Sequence, residues 1–225
     1  MTGLHWYRLE RRDLIGFASA LSKENIVNNS DLERLFIAIS VPEKVKLFLK
    51  RLQDEMKKTG IRGSWVSQAN MHLTLKFLGD TRPEVRDRVQ ERLETAVSSI
   101  SPFVLHAGGI GVFPSVRKPR VLWSKAKGET QVLQTLYERL ETRLTLSGFK
   151  KEKKPFHPHF TIGRIKNRVS SQTMFEGIDR FSSYESEPFS VTGIHLFKSD
   201  LRPEGAVHTR LFTAEIQSDR RETEL

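Results

Sequence analysis

The 225-residue sequence predicts a mixed fold of strands and helices built from two related halves, and three observations carry that reading. Two short strands of one design, at residues 71–77 and 158–164, each read His-x-Thr-x with x apolar. Around each of them, strands and helices follow in the same order. The spacing also matches: Leu35 precedes His72 by 37 residues, and Leu122 precedes His159 by 37. Phe103 and Phe189 are 86 apart, one short of the 87 between the two histidines. Matched order with a matched motif reads as an internal β-α-β-α-β repeat over about residues 34–113 and 121–200.

The first half opens with an apolar strand-like run at 34–39, ended by Val41-Pro42. Residues 43–58 place Val45, Leu49, Leu52 and Met56 on one helical face, with Gly60 just past the end. The first His-x-Thr strand follows and closes at Gly79-Asp80. A second helix is expected over 84–100, on Val85, Val89, Leu93 and Val97. Residues 103–106 resume as strand and run into a glycine-rich turn at Gly108–Gly111, which lacks the lysine and serine of a phosphate-binding loop. In the second half, 120–123 is a strand, and 129–147 a helix with Leu133, Leu136, Leu140 and Leu144 inward and Gly148 as its cap. The second His-x-Thr strand, a helix over 170–175 and an answering strand over 189–197 complete the repeat.

Composition bounds the function. Hydrophobic content of 37% with 28% charged residues describes a folded chain, and the formal charge of +10 favours a polyanionic partner. There is no cysteine, which excludes disulfides, thiol catalysis and cysteine-ligated zinc, and fits a cytoplasmic setting. No run reaches the roughly eighteen apolar residues of a membrane span. Residues 1–32 read as an extension ahead of the main domain at 33–217, with a linker at 25–30, and 218–225 as a tail. The short apolar run at 14–20, interrupted by Gly16 and flanked by Asp13, is a poor match to a signal peptide.

Strand alternation puts His72 and Thr74 on one face and Leu73 and Leu75 on the other, and does the same for His159 and Thr161 against Phe160 and Ile162. Each strand thus carries an imidazole and a hydroxyl about 6–7 Å apart. Halves related by a pseudo-twofold axis could face these polar sides across one cleft. Lys76 shares the parity of His72, so it is expected in the cleft, with a solvated strand end as the plain alternative. Arg164 has the other parity and reaches the cleft only if the strand ends or bulges at Gly163. Two imidazoles can act as acid and base near neutrality, while hydroxyls and a guanidinium suit phosphate oxygens. Displacement at phosphorus is the chemistry that needs this set. His157-Pro158-His159 has no third ligand at a useful spacing, so no metal is expected. His5, His106, His195 and His208 carry no motif and are expected to do no chemistry.

The tetrads His72-Leu73-Thr74-Leu75 and His159-Phe160-Thr161-Ile162 resemble those of the 2H, or LigT-like, phosphoesterases, and among these the RNA 2′,3′-cyclic phosphodiesterases, also called 2′-5′ RNA ligases. Residues 34–39, 70–79, 119–123 and 155–159 support the likeness, which covers about 33–215. The resemblance implies a bilobal α+β fold of pseudo-twofold symmetry, with two antiparallel sheets flanked by helices and a central cleft. It implies opening of an RNA 2′,3′-cyclic phosphate to a 2′-phosphate without metal or cofactor, with reversible 2′-5′ ligation as a related activity. His72 would then be the proton donor to the 3′-oxygen and His159 the acceptor that activates water. Thr74 and Thr161 would bind phosphate oxygens, Phe77 the base and Arg164 the phosphate. His157 stands where relatives often carry arginine or lysine. The expected partner is RNA with a 2′,3′-cyclic phosphate terminus, met by a monomer. The alternatives are the same site acting on 2′-5′ oligonucleotides or cyclic nucleotide-sugar phosphates, and a non-catalytic RNA-binding module.

Overall fold

The computed structural model describes residues 32–217; the expected extension ahead of Leu32, its linker and the tail at 218–225 lie outside the described residues. In chain order the elements are β1 (Glu33–Ser40), α1 (Glu43–Lys58), β2 (Gly63–Trp65), β3 (His72–Thr81), α2 (Arg86–Val97), β4 (Phe103–Phe113), β5 (Val121–Gly128), α3 (Thr130–Leu146), β6 (His159–Ile165), α4 (Ser171–Arg180), β7 (Phe189–Val191), β8 (Gly193–Arg202) and β9 (Gly205–Glu215). Short 3₁₀ turns lie at Gln68–Asn70 and Pro83–Val85.

Each long helix forms where apolar residues recur at helical spacing. In α1, Val45, Leu49, Leu52 and Met56 are buried, and in α3 Leu133, Leu136, Leu140 and Leu144. Gly148, at φ +89°, takes the left-handed turn that ends α3, and the Phe149 N–H returns to the Leu144 carbonyl at 3.1 Å. The helix expected over 84–100 is shorter. Pro83 starts a 3₁₀ turn, and Ser98-Ser99, with Ser99 at φ +65°, ends α2 early. In contrast α4 runs on to Arg180, capped by Ser170 Oγ accepting the Thr173 N–H at 3.0 Å.

All strand pairs are antiparallel, in the order β7-β4-β5-β6-β3-β1-β8-β9, with β2 added to β6. From the centre outward, the order is a motif strand (β6 or β3), the opening strand of its repeat (β5 or β1), the closing strand of the other repeat (β4 or β8), and an edge strand (β7 or β9). The halves of the sheet are therefore related by a pseudo-twofold. The two expected sheets meet, among the described residues, through one ladder pair, Leu73 and Phe160. Because β4 and β8 cross over, the sequence repeats are not the spatial lobes, and each lobe needs both repeats.

Three local expectations change. Gly108–Gly111 is not a turn but lies inside β4, where Gly109 at φ +61° absorbs an extra residue between the pairs Gly108–Lys125 and Gly111–Trp123. Gly111 leaves room for the Trp123 ring, since a Cβ there would lie 2.3 Å from it. The strand expected over 189–197 breaks at Thr192, its first piece pairing with β4 and its second with β1 and β9. Lys76 is the third case.

Lys76 does not face the cleft. Ile37 pairs with Lys76 and Ala38 with Thr74, so Leu75 is a bulge and parity flips after it. The ammonium is buried against the Glu141 carboxylate of α3 and donates to the Lys150 carbonyl at 2.9 Å, while Glu141 Oε2 accepts the Glu152 N–H at 2.8 Å. Removing one partner strands a buried charge, so Glu141→Ala is expected to cost about 3–5 kcal/mol. Replacing both, as Lys76→Met with Glu141→Leu, leaves a carbonyl and an amide unpaired and should cost about 1–3 kcal/mol. Urea melts of the single and double variants measure both, and a single-variant loss below about 0.5 kcal/mol would show the pair to be solvated.

Candidate active site

The bulge that buries Lys76 has a twin. Leu122 pairs with Gly163 and Trp123 with Thr161, so Ile162 is the extra residue in β6. The flip turns Gly163 away from the cleft and Arg164 into it, from a bulge one residue earlier than the sequence suggested. The same flip in β3 turns Phe77 into the cleft. Gly163 is needed where it stands, because a Cβ there would lie 2.7 Å from the Trp65 ring. The bulged Ile162 carbonyl accepts from Gln53 Nε2 at 2.9 Å and from the Val66 N–H at 3.2 Å. Gln53 also donates to the Val66 carbonyl at 2.8 Å, so this buried side chain of α1 ties β6 to the segment after β2.

The register through Leu73 and Phe160 sets His72 opposite Thr161 and Thr74 opposite His159 on the face away from the core. Both histidines are anchored alike. His72 Nδ1 lies 2.7 Å from the Asn70 carbonyl, and His159 Nδ1 lies 2.6 Å from the His157 carbonyl. A carbonyl only accepts, so each Nδ1 carries hydrogen and each Nε2 is left for chemistry. His72 Nε2 sits 3.0 Å from Thr74 Oγ1. Each ring rests on an aromatic side chain from the opening strand of its own repeat: Phe36 at 4.9 Å from His72, and Trp123 at 5.9 Å from His159, centroid to centroid.

A cleft of about 890 Å³ opens on this face, walled by His72, Thr74, Phe77, Thr161 and Arg164 together with Arg34, Phe36, Trp65, Asn70 and the β8–β9 hairpin. His159 is not among the wall residues and stands beside it, against Phe113 and Trp123. Phe77 is 67% exposed, an apolar ring held in water where it can serve as a stacking platform. Among the described residues no group of three or more histidine, cysteine, aspartate or glutamate side chains is placed to hold a metal ion. No helix among them is long and apolar enough to cross a membrane.

Burial pushes the His72 imidazole down to about 4; its bond to Asn70 opposes this, and the charges of His208 and His159 add to it. His159 is lowered as well, first by burial; its bond to the His157 carbonyl opposes this, and the charges of His157 and Arg164 add to it. The free site thus holds both rings neutral near pH 7.

His208 is the residue the sequence reading set aside. It lies on β9, walls the cleft, and stands edge-on to His72 at 5.3 Å and to Phe36 at 4.9 Å. Asn70 links the two histidines: its carbonyl holds His72, and its Nδ2 donates to the Ala206 carbonyl at 2.6 Å, two residues before His208. The available signal was Pro203-Glu204-Gly205, a turn between two strand-like runs.

An antiparallel α+β sheet folded into two pseudo-symmetric halves, with paired His-x-Thr motifs on one face, defines a phosphoesterase architecture. The chain belongs to the 2′-5′ RNA ligase superfamily, the 2H or LigT-like phosphoesterases, whose family model matches residues 41–203. It is 33% identical over 175 residues to the RNA 2′,3′-cyclic phosphodiesterase of Methanocaldococcus jannaschii, covering 78% of this chain and 96% of that one. To the protein of the same name in Thermotoga maritima it is 35% identical over 185 residues, covering 82% and 96%. Among solved structures, TT0787 of Thermus thermophilus superposes with a TM-score of 0.67 at 28% identity, covering 83% and 99%. The E. coli LigT complexed with 3′-AMP has a TM-score of 0.66 at 23% identity, covering 83% and 99%, and shares the fold.

Gln53→Leu removes the donor that holds the Ile162 bulge and should destabilise the fold by about 1–3 kcal/mol. Because that bulge aims Arg164, Gln53→Leu should also weaken binding of inorganic phosphate in the cleft, measured by calorimetry at a temperature where the variant is folded. Unchanged phosphate affinity would separate the bulge from the cleft.

Proposed function

We propose that the protein opens RNA 2′,3′-cyclic phosphate ends to 2′-phosphates by acid–base catalysis between His72 and His159. The observation that carries this reading is the paired anchoring of the two imidazoles, each fixed through Nδ1 to a carbonyl so that Nε2 points to the face shared with Thr74 and Thr161, where His72 Nε2 meets Thr74 Oγ1. The names of the relatives in Methanocaldococcus jannaschii and Thermotoga maritima support the substrate class.

In this reading His159 Nε2 takes a proton from water as the oxygen attacks phosphorus. The bond from phosphorus to the 3′-oxygen breaks on the opposite side, and His72 Nε2 gives its proton to that oxygen, leaving the 2′-phosphate. Thr74, Thr161 and Arg164 hold the non-bridging oxygens, and the base packs on Phe77. A 5′-hydroxyl in place of water would give a 2′-5′ linkage with the same leaving group.

The acid must be protonated, yet the free site holds His72 at about 4. A bound phosphate anion offsets burial and raises both imidazoles, so the substrate itself supplies the charge that protonates the acid. Two pH profiles should then differ. For the free enzyme, kcat/KM should be a bell with its maximum below 6.5, because the acid loses its proton above its lowered pKa and the base gains one below its own. For the complex, kcat should peak at higher pH. Burial lowers His208 as well, and when protonated it opposes protonation of His72, so in His208→Gln the limb belonging to His72 should move to higher pH. Coincident kcat and kcat/KM profiles would contradict the substrate-assisted proton.

Phosphorus NMR of the protein with a nucleoside 2′,3′-cyclic phosphate in excess EDTA should show the 2′-phosphate alone. His72→Ala and His159→Ala should each lower kcat by about 10²–10⁴-fold. No product from the nucleotide or from a cyclic-phosphate-ended oligonucleotide would overturn the assignment.

A further inference from the structure

Phe77 walls two cavities. One is the cleft; the other, of about 480 Å³, is bounded by the end of β3, the start of α2 and the loop after α3. Three exposed cations line the second cavity, one from each wall: Arg82, Arg88 and Lys150. None has a carboxylate within ion-pair distance among the described residues. In α1, by comparison, five of the six cations, Lys44, Lys46, Lys50, Lys57 and Lys58, are each paired with a carboxylate among the described residues, and only Arg51 is not so paired. Asp80 is the one carboxylate on the cavity wall, and Lys76, also on it, is taken up by Glu141.

The lysine-bearing wall is held in place. The Lys150 carbonyl accepts from Lys76, and the Glu152 N–H donates to Glu141, so the backbone is fixed from beneath while the Lys150 side chain makes no ion pair among the described residues. Exposed Lys151, Lys153 and Lys154 continue the charge along the segment that leads to His159.

We propose that this second cavity binds the phosphodiester backbone of the RNA on the 5′ side of the reacting terminus. The proposal rests on the function argued above and names the polynucleotide end, rather than a free nucleotide, as the preferred substrate. The terminal nucleotide has its 2′ and 3′ oxygens in the reacting ring, so the chain continues only from its 5′ oxygen. With the terminal base on Phe77, the next phosphates leave the cleft past that ring, where Arg82, Arg88 and Lys150 converge. Unpaired cations on three elements around one cavity suit successive phosphates, and aromatic stacking beside a cationic groove is the general means of holding single strands.

The test compares kcat/KM for a cyclic-phosphate-ended hexanucleotide with that for the matching nucleoside 2′,3′-cyclic phosphate, in the wild type and in Arg82→Glu/Arg88→Glu/Lys150→Glu. In parallel, anisotropy follows binding of a fluorescein-labelled hexanucleotide against salt. The wild type should prefer the hexanucleotide by about tenfold or more at low salt, and the triple variant should bring that ratio near one, with the slope of log K against log salt shallower by about 2. An equal ratio in wild type and variant, with unchanged salt slopes, would overturn the proposal. A wild-type ratio near one would overturn it too. If the folded wild type turns over neither substrate, the cyclic phosphodiesterase reading fails instead. The anisotropy then still decides whether the cavity holds RNA: an unchanged slope rejects it and a shallower one supports it.

Discussion

The structure depends on one contact between strands. Leu73 of β3 and Phe160 of β6 form the ladder pair that joins the two halves of the sheet, and both are fully buried. A one-residue slip there would send every side chain of a motif to the other face, so burial of Leu73 and Phe160 holds the register. The same register places His72 across from Thr161 and Thr74 across from His159. The polar quartet is thus a consequence of apolar packing beneath it. The exchanged strands β4 and β8 reinforce this, because neither lobe is complete without the other repeat.

What the sequence made legible follows from periodicity and special backbone positions. The apolar stripes of α1 and α3, the left-handed Gly60 and Gly148, and the two motif strands could all be located from residue type alone. What it hid follows from features that have no residue signature. A bulge is a mismatch between two strands, so neither Leu75 nor Ile162 looks unusual in its own strand. Alternation then sends Lys76 to the wrong face, whereas the Gly163 that follows Ile162 gave at least a hint that parity could fail. Strand β9 was hidden for another reason. Only Ala214 of its residues is buried, and its apolar residues fall at 206, 207, 211, 212 and 214 rather than in strict alternation, so the strand carries no clear period-2 pattern, and His208 went unnoticed with it.

The paired bulges also explain how similar strands yield unlike walls. After each bulge, the residue turned inward is Lys76 in one half and Gly163 in the other, and the residue turned to the cleft is Phe77 or Arg164. In the first half the buried lysine needs a carboxylate from α3, and in the second the glycine admits the Trp65 ring. One backbone device, used twice, sets an aromatic platform and a guanidinium at equivalent positions. Pseudo-symmetry of the backbone thereby becomes asymmetry of the chemistry, which suits the asymmetric nucleotide of the proposed reaction.

The electrostatics extend that asymmetry to the histidines. His72 is packed among Phe36, Phe197 and His208, whereas His159 has Phe113, Trp123 and His157. Burial lowers both, and His72 reaches about 4, so the ring proposed as the acid is the harder one to charge in the free protein. A fixed nearby carboxylate would have kept it charged, but it would also repel a phosphate. Among the described residues no carboxylate acts on His72, although Glu204 lies on the cleft wall, so in the proposed reaction the counterion for a charged His72 comes from the ligand. Anion binding and activation of the acid then become one event. In the proposed reaction the two threonines and Arg164 hold the phosphate without depending on the protonation state of either ring, so that binding comes first and the proton follows.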